Sequence, residues 1–207
     1  MKKYALGCGL FLVLLGMIVL MGGCASYNRL VGFSQNVDSK WAQVQTDYQR
    51  RYDLIPNLVN TVSGAANFEK STLTEITRAR ASVGQVPANR NQAPATQAEL
   101  EQFQRAQDQL SSALSRLLVV VERYPDLKAN SNFRDLQAQL EGTENRIAVA
   151  RRDFNLAVQN YNTAVKRFPT VLFAGLFGFP PKPYFQSVSG AEAPPKVQFD
   201  FGSPTNR

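Results

Sequence analysis

Apolar side chains recur along most of this chain at alternating spacings of three and four, the period of one face of an α-helix. Val37, Trp41, Val44 and Tyr48 open the pattern. Leu100, Phe103, Gln107, Leu110, Leu114, Leu117, Val121 and Tyr124 repeat it. Phe133, Leu136, Leu140, Thr143, Ile147, Ala150, Phe154, Ala157, Tyr161, Ala164 and Phe168 carry it furthest. That last stripe predicts a single helix spanning on the order of 50 Å. No stretch reads as a strand of consequence.

Breaks in the pattern mark the ends of these helices. Pro56 sits inside Tyr52-Asp53-Leu54-Ile55-Pro56-Asn57-Leu58. Proline kinks or ends a helix interior, and the residue before it is biased away from helix. The spacing therefore predicts a kink or break there, with a second helix through Leu58, Val62, Leu73, Ile76 and Val83. Residues 84–95 are rich in proline and amides and read as a polar loop. Thr96 and Glu99 have the spacing of a capping box. Tyr124-Pro125-Asp126 stops the next helix, and Asn130, Ser131 or Asn132 begins the last long one. The expected fold is all-α: an elongated, up-down antiparallel bundle of about four long helices with a coiled-coil-like core.

The first residues change the picture. Lys2 and Lys3 precede an uncharged run from Tyr4 to about Ala25, roughly the 20 residues a helix needs to cross a bilayer. Basic residues on the short side favour a cytoplasmic N-terminus with the rest translocated. Residues 1–25 thus read as a single-pass transmembrane anchor or as a lipoprotein-type signal. Leu20-Met21-Gly22-Gly23-Cys24 resembles a lipobox, in which Cys24 would carry the lipid. The expected organisation is completed by a helical body over 26–170, an apolar aromatic segment over 171–186, and a flexible tail over 187–207.

Composition narrows the chemistry. The 207 residues carry 23 basic and 16 acidic groups, a formal charge of +7. That excess is spread out, with no basic stripe interleaved with aromatics, which argues against nucleic-acid binding. There is no histidine, and Cys8 and Cys24 are the two cysteines. Zinc sites of the His/Cys kind, Ser-His-Asp triads and Cys-His pairs are excluded. The carboxylates are scattered and form no paired acid/base motif. We expect no enzyme, no cofactor and no metal site.

Two segments are candidates for contact. In the first, Arg50 and Arg51 are placed to meet acidic groups, with Asp53, Pro56 and Asn57 completing a polar recognition surface for a partner protein. The structural alternative has Asp53 capping the following helix, Pro56 in its first turn, and the arginines paired with acids of neighbouring helices. In the second, Phe173, Phe177, Phe179, Tyr184 and Phe185 suit a membrane interface or a partner. Its alternative is that the segment folds back and caps the end of the bundle.

Tyr27-Asn28-Arg29-Leu30-Val31 and Arg50-Arg51-Tyr52-Asp53-Leu54-Ile55-Pro56-Asn57-Leu58-Val59 resemble the opening of LemA-family proteins. Ala174-Gly175-Leu176-Phe177-Gly178-Phe179 and Pro183-Tyr184-Phe185 resemble that family's closing segment. The resemblance covers about residues 27–186. It implies a bacterial envelope protein with an N-terminal membrane segment and a helical-bundle domain, and it implies no activity. The function expected from all this is a membrane-anchored envelope scaffold or adaptor acting by protein–protein contact. The rival is a membrane-contacting or membrane-organising element that uses the aromatic C-terminal segment. A membrane, an unidentified envelope protein and a second copy of the chain are the expected partners.

Overall fold

Residues 2–64, 68–86 and 92–186 are described by the computed structural model, and the side chains of residues 2–13, 15, 18 and 19 lie outside that description. So do residues 187–207, where the tail was expected. Among the described residues six helices follow one another: α1 (Lys2–Ser63), α2 (Lys70–Gln85), α3 (Gln97–Val121), α4 (Pro125–Ala129), α5 (Ser131–Lys166) and α6 (Thr170–Leu176). The described residues are helical or irregular, with no strand among them.

Of the kink or break expected at Pro56, the break is corrected: α1 runs through the proline as one helix to Ser63. Tyr48, Arg51, Ile55, Leu58 and Val62 continue the three-and-four spacing across the proline, and all five are buried. Proline inside a helix costs about 3 kcal/mol relative to alanine. Burying Ile55, Leu58 and Val62 contributes roughly 1.5–3 kcal/mol each, so packing outweighs the local penalty. Asp53 and Pro56 therefore stand in a helix interior rather than at a cap and a first turn. The chain turns after Ser63 instead, at Gly64.

The other helix ends follow local rules. Thr96 Oγ1 accepts from Glu99 N at 3.3 Å while Glu99 Oε2 accepts from Thr96 N at 3.4 Å, the reciprocal capping box that opens α3. Asn130 Oδ1 accepts from the amides of Asn132 at 2.9 Å and Phe133 at 3.3 Å, which fixes the start of α5. The α5 stripe is buried or half-buried from Phe133 to Ala164. It stops before Phe168, which is exposed because α5 ends at Lys166, ahead of Pro169.

Two apolar clusters lie end to end. One joins Leu30 to Tyr48 of α1 with Leu100 and Phe103 of α3 and Ile147 to Val165 of α5. The other joins Ile55 to Val62 of α1 with Ile76 and Ala79 of α2, Leu110 to Val121 of α3, and Phe133 and Leu140 of α5. In these pairings α5 runs opposite to α1, and α3 runs the same way as α1. Ion pairs tie the surfaces above them: Lys40–Asp153 at 3.7 Å and Arg146–Asp47 at 3.9 Å across α1 and α5, Arg116–Glu75 at 2.9 Å across α3 and α2, and Arg123–Glu69 at 2.9 Å between the end of α3 and the residue before α2. Among the described residues no helix is long and apolar enough to cross a membrane. The Tyr4–Ala25 run belongs to α1 by its backbone, with many of its side chains outside the description.

Candidate functional site

The Arg50-to-Asn57 segment divides across the two sides of α1. A full helical turn separates neighbours on one face, so adjacent residues point apart. Arg51 points inward and is 1% exposed. Its Nη1 donates to Glu144 Oε1 and, at 2.7 Å, to Ser111 Oγ; its Nη2 donates to Gln107 Oε1 and, at 3.3 Å, to the Gln107 carbonyl. The guanidinium carbon also stands 5.0 Å from the centroid of the Tyr48 ring. Arg51 thus bridges α1, α3 and α5 between the two apolar clusters. A partner cannot reach it. Of the two arginines it is the one that pairs with an acid of a neighbouring helix.

Arg50, Asp53 and Asn57 point outward and are exposed. Gln49 Nε2 donates to Asp53 Oδ1 at 2.7 Å, so the carboxylate is held along the helix rather than at a cap. These residues line an open groove of about 1110 Å³. Tyr52, Val83 and Gly84 form one wall, and Phe103 and Gln107 lie deeper. The Arg80 guanidinium stacks 4.0 Å over the Tyr52 ring and stiffens that wall. Half-buried Pro56 helps fill the helix surface behind the groove without lining it. The groove offers one carboxylate, one guanidinium, several amides and aromatic faces. Such a set recognises by hydrogen bonding and apolar contact.

Tyr48, on the groove floor, has its phenol pushed above the ordinary range by burial, which outweighs the opposing pull of Arg151 and Arg51; Asp108 and Glu144 push the same way as burial. Among the described residues no group of three or more His, Cys, Asp or Glu is placed to hold a metal ion.

The aromatic segment divides as well. Phe185 is 6% exposed and packs on Trp41 and Phe154, with ring centroids 6.1 and 5.4 Å away. Phe179 packs against the same cluster, and Phe173 lies against Gly23, where an added Cβ would meet its ring at 3.3 Å. Phe177 meets the Tyr27 ring edge-on at 5.3 Å, and Tyr184 stays partly exposed.

Sequence reasoning missed how this segment is held. Asn155 and Asn162, seven residues apart on α5, each bond both the N–H and the C=O of one residue of this segment. Asn162 Nδ2 donates to the Lys182 carbonyl at 2.9 Å and its Oδ1 accepts from Lys182 N at 2.8 Å. Asn155 does the same to Phe185, at 3.0 and 2.9 Å. Tyr161 Oη donates to the Pro180 carbonyl at 2.9 Å, and Lys182 Nζ reaches Asp38 Oδ1 at 3.0 Å. The one sequence signal was two asparagines a heptad apart beside the apolar stripe.

The described residues thus form an all-helical body with an occupied C-terminal clasp and an open polar groove. The LemA family matches residues 40–199, and the chain belongs to it. It is 28% identical to magnetosome protein MamQ 2 of Paramagnetospirillum magneticum, over 81% of this chain and 67% of that protein. Identity to magnetosome protein MamQ of Magnetospirillum gryphiswaldense is 26% over the same shares. Protein LemA of Metamycoplasma hominis is 23% identical over 69% of this chain and 61% of its own length.

Proposed function

We propose that this protein is a membrane-tethered scaffold or adaptor of the bacterial envelope, a bundle of four long helices acting by protein–protein contact and not by catalysis. The tether is the uncharged Tyr4–Ala25 run, as a single-pass anchor with the body outside or, alternatively, as a signal that leaves a lipid on the exposed Cys24. The observation that carries the reading is the split of one short segment. Arg51 locks three helices together from within, while Arg50, Asp53 and Asn57, presented by the same turns, are exposed to a partner. Recognition groups held on a pinned helix bind without first ordering a loop. The absence of histidine supports a role without proton-shuttle chemistry.

The test is affinity purification from crosslinked membranes with wild type and an Arg50→Ala/Asp53→Ala/Asn57→Ala variant of equal helicity. A protein recovered with wild type and lost with the variant is the expected result. Equal recovery from both would defeat the groove reading. A second reading, contact with the membrane through the C-terminal segment, is supported by the apolar groups that α6 leaves exposed.

A further inference from the structure

α6 has two apolar faces, and the body covers one of them. Thr170 and Ala174 are buried against the body. On the outer side of α6 Val171, Leu172 and Leu176 are 45%, 65% and 79% exposed, and Phe168, in the turn before the helix, is 76% exposed. The sequence placed Phe168 on the α5 stripe and the other three in the apolar segment; of the aromatic residues named there, Phe185 is turned inward while Phe177 and Tyr184 stay partly exposed. Exposed apolar surface continues onto α1 at Met17, Leu20 and Met21. The two elements are adjacent, since Phe173 lies against Gly23 and Phe177 against Tyr27.

Charge around this face has one sign. Lys166 ends α5 and Arg167 follows it, ahead of α6, and both are exposed. No aspartate or glutamate occurs between residues 4 and 37 or between 154 and 186. The nearest acids are already engaged, Asp38 by Lys182 and Asp153 by Lys40. An apolar helix face flanked by exposed basic groups fits an anionic lipid surface: apolar groups enter the acyl boundary while basic groups meet headgroup phosphates. A second protein would need acidic groups around an apolar groove. A lipid leaflet needs neither shape nor register, and the uncharged run delivers one beside residues 23–27.

We infer that the outer face of α6, with Lys166 and Arg167, lies in the headgroup region of an anionic membrane and orients the helical body on it. This rests on the tether reading for its placement, and it assigns lipid contact to residues outside the groove.

The full chain, carrying a benzophenone photocrosslinker at Leu172, Leu176 or, as control, the exposed Leu156 of α5, is placed in phosphatidylcholine vesicles with or without phosphatidylglycerol. Lipid labelling is expected at positions 172 and 176, well above that at 156, and stronger with phosphatidylglycerol. Lys166→Glu/Arg167→Glu is expected to lower it on the order of tenfold at equal membrane-bound protein. Equal labelling at all three sites, indifference to lipid charge, or crosslinking at 172 to a second copy in place of lipid would each overturn the inference. Carbonate extraction separates the two readings. Protein released by carbonate yet labelled at 172 overturns the tether and keeps the lipid face; protein retained but unlabelled there does the reverse; protein released and unlabelled overturns both.

Discussion

Arg51 and Arg50 stand next to each other and answer to different physics. Removing Arg51 leaves Gln107 and Ser111 without their donor, and strands the carboxylate of Glu144 at the edge of a buried site. Breaking such a pair costs about 3–5 kcal/mol when both charges are buried. Glu144 is half-exposed, so Arg51→Ala is expected to cost about 2–4 kcal/mol in chemical denaturation. Arg50→Ala is expected to stay within about 0.5 kcal/mol. The phenols of Tyr48 and Tyr161 give a pH signature. Burial raises both, with Asp38 adding to the effect at Tyr161. Above about pH 10 the unfolded chain loses these protons first, so the folded state binds more protons and stability falls as pH rises through the folded values. Below that, their contribution is complete. Tyr48→Phe is expected to flatten this alkaline decline in urea-denaturation midpoints measured across pH. The buried arginine was legible in principle, because Arg51 occupies an apolar slot in an unbroken stripe. Which of two adjacent arginines turns inward depends on helix phase, and that phase was obscured by assuming a break at Pro56.

At the scale of elements, α1 keeps a proline that its packing tolerates. Proline cannot donate to the carbonyl four residues earlier, so Pro56→Ala restores one backbone hydrogen bond and relieves a clash. A gain of about 1–3 kcal/mol is expected, read as a raised thermal midpoint. An unchanged or lowered midpoint would show that the surrounding helices have adapted to the proline. The clasp on α5 predicts a local effect. Asn155→Ala/Asn162→Ala removes both acceptors for the amides of Lys182 and Phe185, and hydrogen exchange at those amides is expected to accelerate while the α3 interior keeps its protection. The capping box at Thr96, the Asn130 cap and the α5 stripe were all readable, because each follows from spacing within a dozen residues. The clasp was not. It joins residues 20 and 30 apart through amide side chains that serve equally well on a solvated face.

For the whole molecule, the sequence declared its class through periodicity and its family through the strings at either end, whereas the groove and the outer face of α6 emerged only from three-dimensional placement. Both surfaces point outward from the same body, one well along α1 and one at its start. Loss of the groove side chains is expected to remove a protein partner without changing membrane retention, and loss of the α6 face the reverse; fractionation and crosslinked pull-downs on the two variants distinguish them. The unbroken α1 has a mechanical consequence. If its first turns cross the bilayer, no hinge separates them from the body, and the remaining 38 residues to Ser63 form a lever of about 57 Å. Transmembrane helices change tilt to match bilayer thickness, and a change of ten degrees would sweep the far tip sideways by about 10 Å. The body would then turn the thickness of the membrane beneath it into a position in the space above.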